Sequence, residues 1–288
     1  MGTYKRVTTR SHGSSLETVR TDPPRESLAG VGPHAAGVGV KGRLGALEGR
    51  VTRMHPAMAV VSVAVTGFAL ICLVFACVGL LVTHQLGALT RWDDHVVRWF
   101  AENRVGALNH WTDFATKVAD TFGILVVLLV AAIVLFVLRR RWEALFLVLA
   151  LCMELMTFLT VNSVVARPRP VVVRLGSLPS TSSFPSGHTA AMVALYGGLA
   201  VVVSARFRSR IVSFVSWIVA LLATAAVGLA RVYRGMHRPS DVVAGALLGF
   251  AVLGVAIVAV RAGQRAAAER QRAHTPLPAR PLDSELVA

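Results

Sequence analysis

Long apolar runs separated by short polar segments dominate the sequence from residue 56 onward. Six of these runs are long enough to span a membrane as helices: residues 56–83, 121–138, 143–163, 189–205, 211–230 and 241–261. Clusters of Arg, Pro or Gly, which are typical of helix ends and turns, separate each run from the next. The pattern predicts an all-α membrane protein with six transmembrane helices.

The segment between the first and second runs has a different pattern. Its apolar residues recur at helical spacing among charged residues, at Leu89, Trp92, Val96, Trp99 and Phe100. Trp side chains are enriched where a membrane meets water. We therefore expect an interfacial helix in this first loop.

The two ends of the chain are polar. Residues 1–54 are rich in Gly, Ser, Pro and charge, which predicts a disordered basic tail. Residues 263–288 form a second basic segment that contains several prolines. We therefore predict a six-helix membrane domain over residues 55–262, flanked by two tails.

Composition and charge support an integral membrane protein and set its orientation. The chain is 55% hydrophobic, too apolar for an ordinary soluble domain, yet its formal net charge is +15. Most of its Lys and Arg residues lie in the two tails and in the connections at 139–141 and 206–210. The positive-inside rule assigns these segments to the cytoplasm. We expect a protein of the plasma (inner) membrane with both termini cytoplasmic.

Six arginines occupy two connections that face outward in this topology: Arg167, Arg169, Arg174, Arg231, Arg234 and Arg238. Guanidinium groups match the oxygens of phosphate in geometry and charge. The first connection also contains the sequence PSGH, in which Ser186 can cap a helix and Gly187 lets the backbone approach a ligand. This arrangement predicts a phosphate cradle, although PSGH alone is equally consistent with a simple helix cap.

The second connection pairs a histidine with a carboxylate. Pro239 and Ser240 begin the sixth helix, which places Asp241 in its first turn. We expect the Asp241 carboxylate to hold one ring nitrogen of His237 and leave the other as a nucleophile. The alternative is a His–Asp pair that only ties the loop to the helix.

Three segments of the chain, ARPRP, SFPSGH and ARVYRGMHRPSD, resemble the signature segments of the type 2 phosphatidic acid phosphatase superfamily. The resemblance covers about residues 56–262. It implies that His237 attacks phosphorus, that Asp241 orients His237, and that His188 protonates the leaving oxygen. It also implies four phosphate-binding residues: Arg169, Ser186, Gly187 and Arg231.

Two positions depart from the family's pattern. Asn162 stands where the first signature has a lysine, and Ala230 stands where the third has a serine. We expect Asn162 to donate a neutral hydrogen bond to phosphate and Arg167 or Arg174 to supply charge. Glu154, within the third predicted span, is either functional or structural, and we leave it outside the predicted site.

The predicted function is metal-independent hydrolysis of lipid phosphate monoesters or diphosphates at the outer membrane face, through a phosphohistidine and without a cofactor. Phosphatidic acid, phosphatidylglycerol phosphate and polyprenyl diphosphate remain open as substrates. The alternatives are a lipid phosphotransferase and a non-catalytic protein that binds or transports anionic lipid. The expected partners are the lipid phosphate and membrane lipids, and the basic tail has no recognisable nucleic-acid motif.

Overall fold

The computed structural model describes residues 54–177 and 180–274, and the regular elements in these residues are helices. In chain order they are α1 (Pro56–His84), α2 (Gly87–Glu102), α3 (Gly106–Val118), α4 (Thr121–Val137), α5 (Arg141–Val165), α6 (Gly187–Arg206, with a π-helical segment at Val193–Gly197), α7 (Arg210–Tyr233) and α8 (Pro239–His274). The tail predicted for residues 1–54 lies outside the described residues except for Met54. The last part of the predicted C-terminal tail, residues 275–288, also lies outside them.

Among the described residues, five helices are long and apolar enough to cross a membrane: α1, α5, α6, α7 and α8. The helix α4 has 17 residues, a length of about 26 Å, slightly less than the roughly 30 Å of a bilayer core. It follows α3 at a bend of 50°, and the two helices together form a sixth candidate span. The all-α membrane class is confirmed, and the count of six spans stays a prediction.

The amphipathic segment after α1 is the helix α2. Its Trp92 and Trp99 side chains are exposed, whereas Asp93 and Val97 are fully buried. The buried face contacts α7 and α8. The predicted helix is therefore present, and its position at a membrane surface stays a prediction.

The long helix α8 organises the packing of the bundle. It contacts α1, α5 and α6, and its Leu248, Val252 and Ala256 side chains are fully buried. A Cβ atom at Gly245 would lie 2.3 Å from the Ser186 carbonyl oxygen. Glycine at this position therefore lets α8 approach the backbone of the PSGH segment. Beyond this contact α8 continues without a break through residue 262, the predicted domain boundary, to His274.

Candidate active site

A cavity of about 300 Å³ lies where the two arginine-rich connections meet the helices α4, α5 and α6. Its polar end is lined by Arg169, Thr181, Gly187, His188, Arg231 and His237. Its other walls are mostly apolar side chains of α4 and α5, such as Leu125 and Leu155. These two leucines are also exposed at the surface of the bundle, so the cavity reaches that surface between α4 and α5. His188 and His237, to which the resemblance assigns two roles at one phosphate, both line this cavity.

Ser183 holds the imidazole of His237 in place. Its carbonyl oxygen lies 2.7 Å from His237 Nδ1, and Arg169 Nη1 lies 3.5 Å from His237 Nε2. An Nδ1–H group that donates to the carbonyl leaves Nε2 unprotonated. Burial lowers the pKa of His237 well below its usual range, and the positive charges of Arg231 and Arg169 lower it further. His237 is therefore neutral at pH 7, with a basic nitrogen beside the cavity.

Asp241 has partners other than the predicted His237. Its carboxylate accepts hydrogen bonds from the Ser183 hydroxyl and from the backbone N–H of Arg238, the latter at 2.9 Å. In the first turn of α8 the side chain folds back to the N–H of the residue that precedes the helix, as in a capping box. Asp241 thus reaches His237 through Ser183, whose hydroxyl binds Asp241 and whose carbonyl accepts from His237.

Arg167 lies behind the site and is fully buried. Its Nη1 donates to Asp241 Oδ1 at 2.6 Å, and its Nη2 donates to Asp93 Oδ2 at 3.1 Å. Asp93, from α2, also accepts the backbone N–H of Ser240 at 3.0 Å, which satisfies a free donor at the start of α8. Since two buried carboxylates already pair with Arg167, the geometry does not support its predicted contact with phosphate.

Asn162 fixes the loop that precedes the PSGH segment. Its Nδ2 donates to the carbonyl oxygens of Ser182 at 3.1 Å and Phe184 at 3.0 Å, and its Oδ1 accepts the N–H of Ser182 at 3.0 Å. Both amide hydrogens are therefore used within the protein. The predicted hydrogen bond to phosphate is replaced by a clamp on the backbone around Ser183.

Ser186 and Gly187 stand at the start of α6, but only Gly187 lines the cavity. The Ser186 hydroxyl is buried and lies 3.0 Å from Thr189 Oγ1, so it contacts a side chain and makes no bond to a helix N–H. A Cβ atom at Gly187 would lie 2.9 Å from the ring of Phe158. The structure thus places Gly187 beside the predicted phosphate position and Ser186 behind it.

Arg169 and Arg231 are the arginines that line the cavity. Arg231 is buried, and its Nε has no hydrogen-bond partner among residues 54–177 and 180–274. Arg169 donates to the carbonyl oxygens of Thr181, Ser182 and Met236, all of them neutral. Burial is the main cause that lowers the pKa of Arg169. A buried cation without a carboxylate partner is costly, and a bound anion would offset that cost.

The outer arginines of the same connections are paired instead. Arg234 Nη2 lies 3.0 Å from Asp113 Oδ1, and Arg238 Nε lies 2.8 Å from Asp94 Oδ1. Arg174 donates to the Pro170 carbonyl oxygen at 2.7 Å. The acidic partners come from α2 and α3, which precede the signature segments in the chain.

His188 has an acidic neighbour that was not predicted. Its Nε2 lies 3.3 Å from Asp120 Oδ1, within ion-pair distance but without the alignment of a hydrogen bond. Asp120 immediately precedes α4. Asp120, Asp93 and the other acidic partners were not predicted, because they lie in the first loop, far in sequence from the residues that they contact. The predicted topology places the first loop and the two arginine-rich connections on the same side of the membrane. That shared location was the signal that could have linked these acidic residues to the later arginines.

Comparisons with known proteins agree with this architecture. Residues 142–265 match the family model of the PAP2 superfamily, which confirms the resemblance to type 2 phosphatidic acid phosphatases. The crystal structure of the PAP2-type phosphatidylglycerolphosphate phosphatase from Bacillus subtilis is similar, with a TM-score of 0.59, 22% identity, and coverage of 65% of this chain and 92% of that chain. It shows a shared fold.

The crystal structure of Aquifex aeolicus LpxE is also similar, with a TM-score of 0.45, 25% identity, and coverage of 58% of this chain and 93% of that chain. No curated protein sequence matches the chain. The family match supports, in a general sense, a phosphatase.

Proposed function

We propose that the protein hydrolyses lipid phosphates in this cavity, without a metal ion, through a phosphohistidine on His237. The observation that most supports this function is the buried guanidinium of Arg231. Its Nε lacks a partner in the described part of the chain, and it lines one cavity with both histidines. A phosphate group would supply the missing acceptor and the missing negative charge.

In the proposed reaction, Arg169, Arg231 and the first N–H groups of α6 bind the phosphate oxygens and stabilise charge in the transition state. The Nε2 atom of His237 attacks phosphorus, so that a P–N bond forms while the P–O bond to the lipid breaks. His188 gives a proton to the departing oxygen. The hydrogen bond that His237 Nδ1–H donates to the Ser183 carbonyl oxygen keeps the imidazole ring oriented. The Asp241 carboxylate, which accepts a hydrogen bond from the Ser183 hydroxyl, supplies negative charge behind it.

In the second step, water attacks the phosphohistidine. His188 takes a proton from that water, the P–N bond breaks, and inorganic phosphate leaves. The basic tails and cytoplasmic connections favour an outward-facing site in the plasma membrane. Labelling of Ser182→Cys but not Arg208→Cys by an impermeant thiol reagent on intact cells, in a background lacking the native cysteines, would support that orientation, and the opposite pattern would reverse it.

The two histidines should fail differently when the purified chain is assayed in detergent. His237→Ala should abolish both turnover and phosphoenzyme, because no nucleophile remains. His188→Ala should slow hydrolysis of an alkyl phosphate far more than that of an activated aryl phosphate, whose leaving group needs no proton. His110→Ala, which alters an exposed histidine of α3, is the matched control. A phosphoenzyme that survives in His237→Ala would refute the assignment of the nucleophile.

A further inference from the structure

Glu154 is a buried carboxyl group in the cavity that the proposed reaction does not use. It lies in α5, is only 4% exposed, and its Oε1 has no hydrogen-bond partner in the described residues. It lines the same cavity as His188 and His237. A polar group buried without a partner is costly, above all within a membrane-spanning helix. The position therefore indicates that a group outside the protein completes its hydrogen bonding.

The depth of Glu154 below the phosphate position follows from the geometry of α5. Phe158 packs directly against Gly187, at the start of α6. Glu154 precedes Phe158 by one helical turn, which corresponds to a rise of about 6 Å. The surrounding wall is mainly apolar and includes Leu125, Leu128 and Leu151. Glu154 is thus a polar position within the apolar part of the cavity, about one turn deeper than the phosphate group.

This depth matches one feature of glycerolipids. In a diacylglycerol phosphate, about five bonds separate phosphorus from the nearest ester carbonyl carbon, roughly 6 Å when extended. A polyprenyl monophosphate has only hydrocarbon at that depth. Because charge is costly inside the membrane, the uncharged carboxylic acid is the favoured form of Glu154. Its O–H group can donate a hydrogen bond to an ester carbonyl oxygen.

We propose that Glu154 is a specificity-determining residue that donates a hydrogen bond to an ester carbonyl of a diacylglycerol phosphate. The inference rests on the proposed function, because it uses the phosphate position between Arg169 and Arg231. Glu154 takes no part in phosphoryl transfer. It favours ester-linked glycerolipids over lipid phosphates without a carbonyl group at that depth.

The test compares two non-hydrolysable ligands of equal chain length, a diacylglycerol phosphonate and its dialkyl ether analogue. Binding to the purified full chain is measured by tryptophan fluorescence in one detergent. The wild type should bind the diacyl ligand about tenfold more tightly, the effect of one hydrogen bond in an apolar site. Glu154→Met should bind the diacyl ligand more weakly and the ether ligand as tightly as the wild type does, so the preference is lost. Glu154→Gln should keep most of the preference, because its side-chain amide can donate a hydrogen bond to the ester carbonyl.

Glu143→Leu is the matched control, since Glu143 lies in the first turn of the same helix and outside the cavity. Equal affinities of the wild type for the two ligands would overturn the proposal without recourse to any variant. Equal weakening of both ligands by Glu154→Met would do the same. Release of phosphate from diacylglycerol phosphate, measured on the same preparations, separates the two proposals. Turnover without a diacyl preference refutes only the role of Glu154, and a preference without turnover refutes only the phosphatase.

Discussion

The arginines around the site form two regions that differ in their partners. The cavity region contains Arg169 and Arg231, which have neutral acceptors or unsatisfied donors and no carboxylate partner in the described residues. The outer region contains Arg167, Arg234 and Arg238, which are paired with carboxylates of α2 or α3, namely Asp93, Asp113 and Asp94, respectively. One residue type thus has two kinds of environment within the same two connections. We expect charge pairing, more than residue type, to separate the arginines proposed to bind substrate from those that stabilise the fold.

Loss of Arg167 should have the largest effect on stability. Arg167→Met would leave Asp93 and Asp241 as buried carboxylates without their cation, a cost of about 3–5 kcal/mol. Thermal unfolding in detergent should show a large decrease in Tm. The double variant with Asp93→Asn should recover part of the loss, because one of the two buried charges is then removed. A Tm equal to that of the wild type would show that this buried pair contributes nothing to stability.

Loss of Arg231 should affect activity and stability in opposite directions. Arg231→Met removes a proposed transition-state donor, so kcat/KM should fall about 10²- to 10³-fold. It also removes a buried, unpaired cation, so Tm should stay the same or rise. Arg234→Met, three residues later in the chain, is the matched control. There we expect nearly unchanged kcat/KM and a small loss of stability, about 0.2–1 kcal/mol, because a partly exposed ion pair is lost.

The smallest expected effect is a displacement of the pH profile. Because the pKa of His237 is lowered, the ring stays neutral as the pH falls through 6.5, the usual value for histidine. We therefore expect the proposed nucleophile to stay active at that pH. Arg169→Met removes one of the charges that lower this pKa. The acid limb of kcat/KM should therefore move to higher pH in the variant. Arg238→Met, in the outer region, should leave the limb in place, and use of one substrate throughout cancels the titration of the substrate itself.

The sequence predicted the helices and the cavity cations better than the contacts between them. Run length and apolar content located α1 and α5–α8, and the signature segments identified His188 and His237, which line one cavity. The link from Asp241 through Ser183 to His237 depends on how the loop folds over the start of α8, which periodicity does not encode. Asn162 shows the same limit, because its amide contacts residues 20 and 22 positions away in the chain. A motif comparison could only mark it as a missing lysine.

The acidic partners of the arginines in the outer region set a lower limit on the fragment of this chain that could function by itself. Residues 142–265, which match the family model, include all three signature segments, both histidines and Asp241. They do not include Asp93, Asp94 or Asp113. A fragment cut at that boundary would carry every predicted reacting group and lose the carboxylates that neutralise three of its arginines. Transplanting the site into another helical scaffold would therefore require the counter-charges of α2 and α3 to be transferred with it.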